Sequence, residues 1–116
     1  MKIFKLLLLP MFLLLSSSIN AQKIGDGVVL AHFNAEWNKA NEVSWLGGVS
    51  ECNVVKIDIM TNPKFQTKHK IVVVPTLILF KDGEEVKRWQ AGIDFKIAET
   101  EDEIQEEVDE QNLSDF

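Results

Sequence analysis

The apolar positions of this chain fall into a few short blocks, each bounded by turn residues. Residues 28–33 (VVLAHF) form a nearly continuous apolar run, the pattern of a strand buried on both faces. Residues 54–60 alternate instead: Val55, Ile57 and Ile59 share one face, Lys56 and Asp58 the other, which predicts a half-buried strand. Residues 71–83 read IVVVPTLILFKDG, two apolar runs parted by Pro75. A proline cannot donate to a ladder, so a strand tolerates it at the first residue and excludes it at the centre. Val74, just before it, is pushed toward an extended conformation. A strand is therefore predicted over 76–81, with Pro75 opening it. Asp82-Gly83 then turns the chain back into residues 84–90 as an antiparallel hairpin.

Three helices are predicted between and after these strands. Residues 38–46 form a short one ended by Gly47-Gly48. Asn62-Pro63 supplies a cap and a proline at the first helical position, for a helix reaching about His69. Thr100 and Glu103 have capping-box spacing, and the helix behind them places Ile97, Ile104 and Val108 on one side. Residues 111–116 are expected to fray. The order strand, helix, strand, helix, strand, strand, helix predicts an α/β domain. Its four-stranded sheet is mixed, with right-handed crossovers and helices on both faces.

The first residues stand apart from this pattern. Lys2 and Lys5 precede an apolar stretch over 6–15, and residues 16–21 are small and polar, ending Ile19-Asn20-Ala21. This is the pattern of a secretory signal peptide, residues 1–21. Its apolar stretch is shorter than the ~20 residues a membrane span needs, and no cysteine marks a lipid-anchor site. The domain is then 22–116, with its core over about 28–110. The protein is expected to be exported, periplasmic or secreted, and to meet a membrane only through the leader before cleavage. Without Lys2 and Lys5 the chain keeps 10 basic against 18 acidic residues, a net charge of −8. That balance repels phosphate backbones and argues against a nucleic-acid partner. Export favours disulfides, yet Cys52 is the single cysteine, so none can form within the chain.

Two segments resemble the thioredoxin family. Residues 28–41 (VVLAHFNAEWNKAN) match a strand that ends in Ala-Glu-Trp before four motif residues. Residues 74–84 match the later Val-Pro-Thr, strand and Lys-Asp-Gly-Glu. The resemblance implies a minimal thioredoxin-like fold, β-α-β-α-β-β-α. It departs from the family in three ways. The cysteines expected at the first and fourth motif positions are Asn38 and Asn41, with Lys39-Ala40 between them where the family often has Gly-Pro. Residues 22–27 are too short for the strand and helix that usually come first. The stretch from the motif to the next strand is about two helical turns short. Residues 54–60 should then form a sheet edge, open to a client peptide or to a homodimer partner unless Lys56 and Asp58 protect it.

Thiol–disulfide exchange needs an attacking thiolate and a resolving thiol. Asn38 and Asn41 supply neither, so two-cysteine catalysis is excluded at this site, and Asn38 is expected to cap the helix after it. What the resemblance leaves is a groove for an extended peptide or protein partner. It comprises Trp37, Asn38, Lys39, Val74, Pro75, Thr76, Ala91 and Gly92, with a cis bond before Pro75. His32 stands where the family often keeps a buried acid and is read as a hydrogen-bonded core residue, with a pH-sensitive role as the alternative. His69 is expected to be exposed. Positions 32, 52 and 69 lack metal-ligand spacing, so neither a metal nor any other cofactor is expected. Three functions stay open: a redox-inactive binding module, an oxidoreductase using Cys52 or a partner's thiol, and a structural homodimer through the exposed edge.

Overall fold

The computed structural model describes residues 24–114; the predicted leader lies outside them. Four strands, β1 (Val28–Asn34), β2 (Asn53–Asp58), β3 (Thr76–Lys81) and β4 (Glu84–Gln90), form one sheet in the order β2-β1-β3-β4. β1 runs parallel to β2 and antiparallel to β3, and β3 and β4 form the hairpin. Pro75 stands immediately before β3, and the Val74-Pro75 bond is cis. Asp82 and Gly83 both have positive φ, 51° and 84°, the conformation a two-residue hairpin turn requires. The Asp82 carboxylate accepts from the Gly27 amide at 2.8 Å, which ties this turn to the start of β1.

The two sides of the sheet carry separate cores. Leu30, Leu77, Leu79 and Trp89 face Val43, Leu46, Val49, Ile104 and Val108, with Trp45, Cys52, Val54 and Ile97 packed around them. Val29, Ala31, Phe33, Ile78 and Phe80 face the other way, against Ile71 and Val74, with Val55, Ile57 and Phe65 at the margin. β1 is buried along its whole length. Each fully buried aliphatic or phenylalanine side chain contributes roughly 1.5–3 kcal/mol.

Two helices cover these cores. α1 (Pro63–Lys68) has Pro63 in its first turn. α2 (Glu101–Leu113) starts on the expected box: Thr100 accepts from the Glu103 amide, and Glu103 accepts from the Thr100 amide. α2 extends further than expected. Residues 111–113 are helical, and Asn112 donates to the Glu51 carbonyl at 2.9 Å.

The predicted helix over 38–46 does not form. Two 3-10 segments, Glu36–Asn41 and Leu46–Gly48, take its place. Glu42 turns extended, with φ −60° and ψ 151°, and the amide after it shows the diversion. An α-helix here would send the Val43 N–H to the Lys39 carbonyl, but it bonds the His32 Nε2 at 3.2 Å instead. His69 also departs from expectation. It is half-buried, its ring 5.6 Å from Phe33, 5.7 Å from Phe65 and 5.2 Å from Phe80.

Candidate functional site

The motif follows β1 directly, so it sits at that strand's carboxyl end. Because β2 is parallel to β1 and β3 and β4 alternate, four chain segments converge there. They are residues 35–42, the turn after β2, the Ile71–Pro75 approach to β3, and residues 91–96 after β4.

Asn38 is buried, 4% exposed, and its side chain is fully engaged. Its Nδ2 donates to Asn34 Oδ1 at 3.1 Å and to the Val74 carbonyl at 3.3 Å. Its Oδ1 accepts from Asn41 Nδ2 at 2.9 Å, and its own carbonyl accepts from Asn34 Nδ2 at 3.2 Å. Asn38 therefore caps no helix. It has φ −111° and ψ 19° inside the 3-10 segment and clasps the motif to the proline loop. The third loop joins the same framework through the Ala91 amide, which donates to the Pro75 carbonyl at 3.0 Å.

Behind the motif, His32 is buried, and its Nε2 accepts the Val43 amide, so the ring is neutral with its proton on Nδ1. Burial, reinforced by the Lys56 ammonium, lowers its pKa from 6.5 to about 4. The expected groove residues divide by exposure. Val74, Pro75, Thr76, Ala91 and Asn38 are buried; Trp37, Lys39 and Gly92 are exposed.

Trp37 is 64% exposed, and its ring meets Phe95 edge-on at 5.7 Å. Phe95 holds that place with a φ of 61°, unusual for a bulky residue. Its loop folds on itself, with the Phe95 amide on the Gly92 carbonyl and the Gly92 amide on the Lys96 carbonyl. The large hydrophobic side chains exposed among the described residues are Trp37, Met60, Val72, Val86, Ile93, Phe95 and Leu113. All but Val86 and Leu113 lie on the four converging segments. Met60, Val72, Ile93 and Phe95 escaped the sequence reading. So did Asn34, whose spacing four residues before Asn38 was the available signal.

Cys52 is elsewhere. It precedes β2 and so sits at the opposite end of the sheet, about six strand residues or roughly 20 Å from the motif. It packs against the α2-side core, and burial raises its pKa, which keeps it a thiol. Among the described residues no group of three His, Cys, Asp or Glu side chains is placed to hold a metal, and no helix is long and apolar enough to cross a membrane.

This geometry can be compared with known proteins. The thioredoxin family model matches residues 13–110. The chain belongs to the thioredoxin family. It is 37% identical over 76 residues to the thioredoxin of Chlamydia trachomatis, covering 59% of this chain and 72% of that protein. With the thioredoxin of Staphylococcus epidermidis it shares 36% over 73 residues, 57% of this chain and 70% of that one. Among solved structures, a mutant thioredoxin from Halobacterium salinarum matches with a TM-score of 0.60 at 30% identity, covering 74% of this chain and 75% of that one. Fasciola hepatica thioredoxin matches at 0.54 and 27%, covering 84% and 90%. This member of the thioredoxin family has a mixed four-stranded sheet and one cysteine, with asparagines at the first and fourth motif positions.

Proposed function

We propose that this thioredoxin-family protein is a redox-inactive binding module, exported from the cell, that holds a peptide or protein partner at the motif end of its sheet. The observation that carries this reading is the gathering of Trp37, Met60, Val72, Ile93 and Phe95 at one end of the molecule. Exposed apolar patches of this kind mark interaction sites in soluble proteins. The strained backbone at Phe95 supports it, since such strain persists where the surroundings hold a side chain for use. The Asn38 amide already occupies the Val74 carbonyl, so the partner is gripped chiefly by side-chain contact with the apolar rim.

Because Val74 is buried, the informative variant is Trp37→Ala with Phe95→Ala, which removes exposed rings and leaves the core intact. Site-specific cross-linking from position 92, on the exposed loop that carries Phe95, in the native compartment identifies partners. The double variant should capture them about tenfold less, a loss in line with one or two aromatic anchors. Undiminished capture by the folded variant would refute the reading.

The thioredoxin relatives favour a second reading, thiol–disulfide oxidoreduction. It would have to run through Cys52, which stands far from the apolar rim. A disulfide-reduction assay with Cys52→Ser as control separates the two: turnover that depends on Cys52 selects the enzyme, and none selects the binding module.

A further inference from the structure

A different surface, beside the motif, has the form of a second site. β2 is an outer strand of the sheet, with no strand partner beyond it among the described residues. The Ile59 amide donates to the Asn34 carbonyl, so by alternation the odd-numbered residues of β2 bond toward β1. Val54 and Lys56 therefore turn their N–H and C=O outward, as does the Asp58 N–H. Next to this edge lies a cleft of roughly 180 Å³, lined by His32, Glu36, Lys39, Glu42, Lys56 and Asp58 among others.

We propose that the outer edge of β2 is a strand-addition site for an extended basic peptide segment, one of whose lysine or arginine side chains enters the cleft beside His32. This goes beyond the apolar rim and is independent of it. The charges decide the occupant. Three carboxylates (Glu36, Glu42, Asp58) face two ammonium groups (Lys39, Lys56) in the cleft, and His32 is held neutral by burial and by its bond from Val43. The same side of the sheet carries α2, with seven carboxylates and no cation. Alternate side chains of an added strand share a face with Lys56 and Asp58, and one of them would lie at the cleft.

A second copy of this chain fits the edge poorly. An antiparallel pairing centred on Lys56 sets Lys56 against Lys56. One centred on Ile57 needs the Asp58 carbonyl, which already accepts from the Asn62 amide and Asn62 Nδ2, both at 3.0 Å. The register centred on Val55 avoids both problems but brings two acidic surfaces together.

The test uses the protein isolated from cells expressing the full chain, with two fluorescent peptides of alternating Thr and Val. One has a central Arg, the other a Glu in its place. The Arg peptide should bind about tenfold more tightly than the Glu peptide, the discrimination expected of one charge-assisted contact. Lys56→Pro removes an outward N–H without touching the β1 ladder, and against Lys56→Ala, which loses the same charge but keeps the N–H, it should weaken the Arg peptide by about tenfold. Should that variant fail to fold, an Arg peptide N-methylated at alternate amides decides on the unaltered protein, in both methylation phases: one phase should abolish binding. Equal binding of the Arg and Glu peptides, absence of binding, indifference to both methylation phases, or a dimer by light scattering that the Arg peptide does not compete with would each overturn the proposal.

Discussion

Asn38 shows how one residue can keep its place in a motif while changing its physics. A buried amide with two donors and an acceptor is stable only where all are paired, and here Asn34, Asn41 and Val74 pair them. Asn38→Ala should cost about 2–3 kcal/mol, because it strands the Asn34 and Asn41 side chains and the Val74 carbonyl. Urea denaturation measures this, and a loss below about 0.5 kcal/mol would mean the network contributes little. The sequence showed that thiols were absent from the motif positions, and the spacing of Asn34, Asn38 and Asn41 was there to be read; the bond from Asn38 to the Val74 carbonyl was not, because it spans 36 residues. His32 carries a pH signature. Its folded pKa, about 4, lies below the ordinary 6.5, so the unfolded chain binds the proton more readily between those values. Stability from this group is full above about pH 6.5 and falls as pH drops toward 4, by on the order of 3 kcal/mol in total. Burial lowers the pKa of His69 as well, so it adds to the loss in the same direction. His32→Gln can still accept the Val43 amide and should flatten the profile of urea midpoint against pH; an unchanged profile would assign the loss elsewhere.

Among the elements, those built on a continuous apolar run, proline or a capping box were legible: β1, β3, β4 and the start of α2 lie where pattern and turn chemistry place them, whereas β2, read from its alternation over 54–60, starts one residue earlier and ends at Asp58, where the chain turns toward Asn62. Thr100→Ala should destabilise the fold by about 1 kcal/mol, read as a lower urea midpoint, since it removes the hydroxyl that accepts the Glu103 amide. A neutral result would mean α2 is held by Ile104 and Val108 alone. The segment after the motif was not legible. Val43, Trp45 and Leu46 have helix-like spacing, and only a distant imidazole diverts the Val43 amide. The far end of α2 was hidden for a similar reason. With no basic residue in its last turn it reads as a weak terminus, yet Lys81 of β3 donates to the Gln111 carbonyl at 2.8 Å and supplies the missing cation. Both are tertiary contacts that no local window contains.

At the scale of the whole molecule, charge and apolar surface are segregated. α2 concentrates the acid on one side of the sheet, while Lys64, Lys68 and Lys70 stand in and just after α1 on the other. The exposed rings gather at the end between them. The acidic balance, −6 over the full chain, was plain in the composition, but its two-sidedness follows from which helix covers which face. The locked motif adds something composition could not foretell. Side-chain amides have no oxidised and reduced forms, so the bond that joins the two loops is indifferent to the electron supply around it. A clasp of this kind keeps one geometry in reducing and in oxidising surroundings alike.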